Sequence, residues 1–363
     1  MKNQSGKKLK ILITAPSLDE KENISGISTF VRQITRYDEC EFIHFTAGRR
    51  DGQKVNVFWI LKQVFLPVGF LYKLLKEKID VVHINTAFSV LSILRDFVLT
   101  LIAKFAGLPV ILHLHGGRFL TQEMESYFLK KCAEEMLYTA DLILVLSQKE
   151  KQKLLENYPK LNVEIFPNLI NLTEIPNFEK HSNALQTIIF FGRIDENKGL
   201  NEIIETCRIL KKDGFEFQFK VYGTGEQKDF FIGQMKEVLG EKFFYEGIVS
   251  GKEKWKVLTE ADIFLLPSYF EGLPLSMLEA LAAKCVVIAA NVGSIGTVIE
   301  DGVNGFLVEP HETKQIIEEI KLLLLNKTDH KILQNNARKT IEERFSAEEH
   351  LAHLKEIYET VRM

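Results

Sequence analysis

Short apolar, β-branched-rich runs alternate with helical stretches along almost the whole chain, and this alternation limits the possible folds more than any other feature. In the first half the runs are LKILITA (Leu9–Ala15), EFIHFTA, DVVHINT (Asp80–Thr86), PVILHLHG (Pro109–Gly116), DLILVLS (Asp141–Ser147) and VEIFPN (Val163–Asn168). In the second half they are TIIFFGR (Thr187–Arg193), FQFKVYG, KFFYEGI, DIFLLPS (Asp262–Ser268), VVIAAN and GFLVE. Strands that are apolar on both faces, separated by helices such as GISTFVRQITRY, predict a parallel α/β sheet covered on both sides. The order repeats after about 170 residues, which predicts two doubly wound, Rossmann-like domains facing across a cleft. Their expected extents are 1–170 and 171–345, joined through the polar, proline-marked segment Asn168–Asn183. A final helix over 346–363, capped by Ser346 and apolar at Leu351, Leu354, Ile357, Tyr358 and Val361, is expected to cross back to the first domain.

Composition excludes several classes. At 363 residues, 46% hydrophobic and 26% charged, the chain is globular and long enough for two cores. A net charge of −3 without a basic tract argues against a nucleic-acid binder. The charge is uneven: residues 1–176 hold 23 Lys+Arg against 19 Asp+Glu, net +4, and the remainder 23 against 30, net −7. Cys40, Cys132, Cys207 and Cys285 are scattered without metal-ligand spacing and read as buried thiols in a reducing compartment. The basic N-terminus leads into a first strand, not a signal peptide. The longest apolar stretch, Val64–Tyr72, falls short of the roughly 20 residues that span a bilayer. A cytoplasmic protein, at most peripheral to a membrane, is expected.

Every unusual polar feature follows a strand, where this architecture gathers ligands. In FEGLPLSMLEALA (Phe270–Ala282), Glu271 precedes a Gly-Leu-Pro turn and Glu279 falls among apolar residues, where an unpaired charge is costly. Pro274 suits a first helical turn, and the amides of Gly272, Leu273 and that turn then form an anion site. Glu279 lies roughly 7–8 Å along the helix, a span comparable to a diphosphate joining a sugar to a ribose. Glu271 can therefore reach a sugar and Glu279 ribose hydroxyls. The same pattern also describes a helix N-terminal glutamate followed by a buried one satisfied by backbone donors. In FFGRIDENKGL (Phe190–Leu200), Gly192 and Arg193 end a strand and Lys198 opens a helix. Two cations so placed clamp a diphosphate or form a surface pair. Gly223 in VYGTGEQKDF reads as a tight turn, since the third glycine of a dinucleotide motif is missing. Gly26 in NISGISTFVRQ stands at a loop-to-helix transition that can approach a phosphate. In HLHGGRF, His113 and His115 point to one side of a strand. No further ligands accompany them, so no metal is expected, and His115 is the candidate for lining the cleft. His83 equally reads as a core histidine.

Together these segments resemble the retaining glycosyltransferases of family 4, which have the GT-B fold. The resemblance covers nearly the full chain. It is carried most strongly by the E-x7-E element EGLPLSMLE, within Pro267–Val308, and by GRIDENKG; VYGTGE, HLHGG and the Pro167–Asn168 pair agree. It implies sugar transfer from a UDP- or GDP-sugar to a glycan or lipid-linked acceptor in polysaccharide biosynthesis, with retention at the anomeric carbon and without a metal or other cofactor. It also implies roles for residues. Arg193, Lys198 and Glu279 would hold the diphosphate and ribose, Glu271 and the 272–274 backbone the donor sugar, with His115 near the sugar and Gly26 near the phosphates. The catalytic set is then Arg193, Lys198, Glu271 and His115. The donor-binding set is Gly26, Gly192, Gly223, Gly272, Leu273, Pro274 and Glu279. Three positions depart from the family pattern: Ser25 where a second glycine is frequent, Asn85 where a histidine is common, and SIGT (Ser294–Thr297) in place of GIPE. A nucleotide-sugar 2-epimerase or a non-catalytic pseudo-glycosyltransferase subunit are the rival readings.

The basic, aromatic-rich segment VFWILKQVFLPVGFLYKLLKEK (Val57–Lys78) suits a membrane interface and a lipid-linked acceptor. The competing expectation is that most of these residues cover the first domain's own sheet.

Overall fold

Each of the apolar runs forms a parallel strand. The computed structural model describes residues 8–363 except 51–52, 54–55, 118, 120–123, 181–184 and 326–329. The first sheet contains β1 (Leu9–Ala15), β2 (Cys40–Thr46), β3 (Val81–Thr86), β4 (Val110–Leu114), β5 (Leu142–Val145) and β6 (Val163–Ile165), ordered β2-β1-β3-β4-β5-β6. All residues of β3, β4 and β5 are buried, as strands covered on both faces must be. The second sheet contains β7 (Gln186–Phe191), β8 (Phe217–Tyr222), β9 (Phe243–Gly247), β10 (Ile263–Leu266), β11 (Val286–Ala290) and β12 (Phe306–Val308). Its order, β12-β11-β10-β7-β8-β9, is the doubly wound arrangement of dinucleotide-binding folds.

The chain divides into two compact units, one holding residues up to Asn168 together with Ala347–Met363, the other Leu169–Ser346. The segment after Asn168 packs with the second unit, where the Lys180 ammonium is buried against the carbonyls of Leu258 and Ala261. The C-terminal helix Ala347–Arg362 packs with the first unit. It buries Leu354, Ile357 and Tyr358, and the Tyr358 hydroxyl meets Nδ1 of His83 on β3 at 2.7 Å.

Helices cover the sheets with apolar stripes repeating every three or four residues. Tyr127–Thr139 buries Leu129, Cys132, Ala133, Met136 and Leu137 in the first core. The helix Val57–Lys76 departs from this pattern. The expectation that most of it covers the sheet is corrected: among its described side chains the deeply buried ones are Leu66, Phe70 and Leu74, one turn apart on one face. The four cysteines are unpaired and buried, and burial pushes the Cys40 thiol up to about 11. Among the described residues no helix is long and apolar enough to cross a membrane.

Candidate active site

In the second sheet β7 and β10 are neighbours whose following connections run to opposite sides, the switch point at which ligands of such sheets bind. The two segments that follow them are locked together. Gly199 has φ +67°, and a Cβ on it would run into the carbonyl oxygen of Pro267, so only glycine fits. The Tyr269 N–H donates to the Asn197 carbonyl at 2.8 Å. Lys198 Nζ then reaches Glu271 Oε1 at 2.6 Å, and Ser268 Oγ donates to the same oxygen at 2.7 Å. Among the described residues Glu271 Oε2 has no protein partner. From behind, the Tyr269 hydroxyl donates to Glu202 Oε2 at 2.6 Å while its ring stacks on His311, 4.0 Å between centroids. Burial beside that carboxylate pushes the Tyr269 hydroxyl well up, so it remains a donor. The loop bearing Glu271 is thus fixed on both sides.

Arg193, two residues beyond β7, is exposed and has no ion-pair or hydrogen-bond partner among the described residues. Its neighbour Gly192 explains Gly223: at φ +134°, a Cβ on Gly223 would overlap the Gly192 carbonyl oxygen. The tight turn read from the sequence therefore reflects the close passage of the loops after β7 and β8. The Gly223 N–H also donates to the Gly247 carbonyl at 2.7 Å.

Pro274 is the N-cap of the helix Leu275–Ala282, whose first-turn N–H groups lack intrahelical acceptors. Glu279 is the fifth residue of that helix and is 3% exposed. Its partner is a side chain and not the backbone donors considered above: Lys254 Nζ, from the helix Gly251–Glu260, lies 2.5 Å from Oε1. Two buried opposite charges at this separation offset each other's desolvation. Nothing in the sequence announced Lys254, because the pair joins two different helices. Tyr269 and Glu202 were missed because they lie 67 residues apart in sequence, and Ser268 because a serine in a loop does not show which side chain it meets.

In the first unit, Gly26 opens the helix Gly26–Ile34, and a Cβ there would meet nothing within 4 Å. Ser25, the departure from the family pattern, is the N-cap: its Oγ accepts from the Ser28 N–H at 3.4 Å. His113 and His115 share a side as their spacing requires, with ring centroids 4.1 Å apart, and His83 stacks on His113 at 5.6 Å. Burial pushes the His113 imidazole down to about 3 and holds His83 and His115 well below their usual range. All three rings are neutral near pH 7. His113 Nε2 donates to the Phe166 carbonyl at 3.0 Å. Asn85 sets the state of His115. Its Nδ2 donates to the Thr14 carbonyl at 2.9 Å, which turns its Oδ1 toward His115 Nε2 at 2.7 Å. His115 must therefore carry its proton on Nε2, with a further hydrogen bond to Asn168. Among the described residues no group of three metal-ligating side chains is suited to a metal ion.

Two family models match adjoining parts of the chain: "Glycosyltransferase Family 4" over residues 31–174 and "Glycosyl transferases group 1" over residues 173–340. The capsular polysaccharide biosynthesis glycosyltransferase CapM of Staphylococcus aureus is 25% identical, over 92% of this chain and 89% of its own. Among solved structures, a sucrose-phosphate synthase from Thermosynechococcus elongatus superposes with a TM-score of 0.80 at 16% identity, covering 98% of this chain and 99% of its own. Anabaena HepE, solved in complex with UDP and glucose, superposes with a TM-score of 0.76 at 17% identity, covering 97% of this chain and 100% of its own.

Proposed function

Since this chain belongs to the group 1 glycosyl transferases and has the GT-B fold, we propose that it moves a hexose from a UDP- or GDP-sugar to a glycan or lipid-linked acceptor, with retention and without a metal, in polysaccharide biosynthesis. The observation that carries this reading is the unpartnered Arg193 guanidinium, which shares the β7–β10 switch point with the Lys198–Glu271 pair and a helix N-terminus. A dianionic diphosphate matches that set: Arg193 grips it in forked geometry, and Lys198 and the helix dipole add positive potential. Glu271, held through Oε1, turns Oε2 to the donor sugar. Glu279, held by Lys254, offers its second oxygen to ribose hydroxyls. HepE binds UDP and glucose on the same fold.

In the reaction so assigned, the bond between the anomeric carbon and the diphosphate oxygen breaks on the face that the acceptor hydroxyl approaches. The electron pair leaves with the diphosphate, whose charge Arg193 and Lys198 stabilise. The acceptor oxygen bonds to the anomeric carbon on that face, and its proton passes to the departing phosphate oxygen. His115, neutral, donates from Nε2 to Asn85 and bonds Asn168, so its ring is held in one orientation within the first unit. The protein is assigned to the cytoplasm and to the inner membrane surface, where a lipid-linked acceptor is presented.

Purified protein incubated with UDP- and GDP-sugars should release nucleoside diphosphate from one of them, equally with EDTA present. Proton NMR of the transferred sugar should show the donor's anomeric configuration. Inverted product, turnover abolished by EDTA, or no diphosphate release from any donor would contradict the assignment.

A further inference from the structure

The helix Val57–Lys76 presents two opposite faces. Leu66, Phe70 and Leu74 face the first core, at 8%, 0% and 6% exposure. At 100° per residue, Leu61, Val64, Phe65, Val68, Tyr72 and Leu75 fall on the opposite side, and each is between 48% and 75% exposed. They form an unbroken apolar band about 21 Å long, with no polar residue inside it. Scattered exposed apolar side chains are ordinary, but a band of this length on one helix marks a binding surface. Lys62 and Lys76 are exposed on one flank between the two faces, Lys73 on that flank donates to the His44 carbonyl at 3.3 Å, and the helix contains no acidic residue.

We infer that this helix is a docking surface for an anionic lipid bilayer, lying flat with its outer band in the acyl boundary and its lysine flank among the headgroups. The charge pattern selects that occupant. A second copy docked through the same helix would bring only further lysines against these lysines, with no carboxylate on either helix to answer them. Anionic headgroups supply the missing countercharge, and an amphipathic helix with a basic polar edge is the form that inserts at an interface. The inference deepens the membrane-surface part of the functional reading and rests on it there. The helix ends one turn before β3, so the surface belongs to the unit that carries the histidine stack.

Vesicle flotation of the full chain tests this directly. The wild type should float with phosphatidylcholine vesicles containing about one-third phosphatidylglycerol, and much less with phosphatidylcholine alone. Val64→Asp/Val68→Asp should abolish flotation on both. Lys62→Gln/Lys76→Gln should keep the weak binding to neutral vesicles and lose about 25-fold in affinity for anionic ones, about fivefold for each lysine. Failure of the wild type to bind anionic vesicles would overturn the inference, as would flotation unchanged by the aspartates. Sedimentation velocity is the second readout: a dimer that Val64→Asp/Val68→Asp dissociates would assign the band to self-association instead. Diphosphate release from the donor in vesicle-free buffer reads the transferase assignment alone and should be unchanged in all these variants.

Discussion

The two units carry different electrostatics. The second unit gathers full charges, with Lys198 on Glu271, Lys254 on Glu279, and Arg193 left without a partner. The first unit gathers three imidazoles, His83, His113 and His115, all kept neutral by burial, with His113 adding to the effect on the other two. The same chain path therefore builds one end suited to gripping an anion and, in the other unit, a buried cluster of neutral rings bonded to Tyr358, Phe166 and Asn85.

The comparison breaks most visibly if the charges of the second unit prove dispensable. Glu279→Ala leaves Lys254 buried and unpaired, and removing one member of a buried pair costs about 3–5 kcal/mol. Urea unfolding should show that loss, and Glu279→Ala/Lys254→Met should recover much of it. An unchanged midpoint for the single variant would mean that the pair contributes nothing.

The first unit should answer to pH instead. His113 is depressed to about 3 in the folded chain against an ordinary value near 6.5, so the unfolded chain binds the proton first. Stability is then complete above pH 6.5 and falls as the pH drops toward 3. By pH 5 His113 alone removes about 2 kcal/mol, and its two neighbours act in the same direction. Hydrogen exchange at pH 5 against pH 7 should show protection lost in β3 and β4 before β7 and β10. Equal loss in both sheets would remove the distinction between the units.

How far the sequence revealed this depends on the range of each interaction. The strands were legible because continuous apolar runs such as VVIAA and LILV have no alternative to burial on both faces. The fifth-residue position of Glu279 followed from Pro274 marking the helix start, and the shared side of His113 and His115 from the two-residue repeat of a strand. The partners were not legible. Lys254 lies on a separate helix, Ser268 and Lys198 converge on one oxygen from different loops, and Gly199 and Gly223 are glycines because carbonyls distant in sequence pass close by. The outer face of Val57–Lys76 was ambiguous for another reason. A helix with apolar residues on two opposite faces reads the same whichever face a core covers, and only the burial of Leu66, Phe70 and Leu74 told the two apart.

The proposed role of Arg193, binding the donor's diphosphate, is read by calorimetric titration of UDP and GDP into the wild type and Arg193→Ala. One of the two nucleotides should bind the wild type, and the variant should bind it at least tenfold more weakly, the loss of about one charge-assisted hydrogen bond, with thermal stability unchanged. Equal affinity in both proteins, or no binding of either nucleotide to the wild type, would contradict the account.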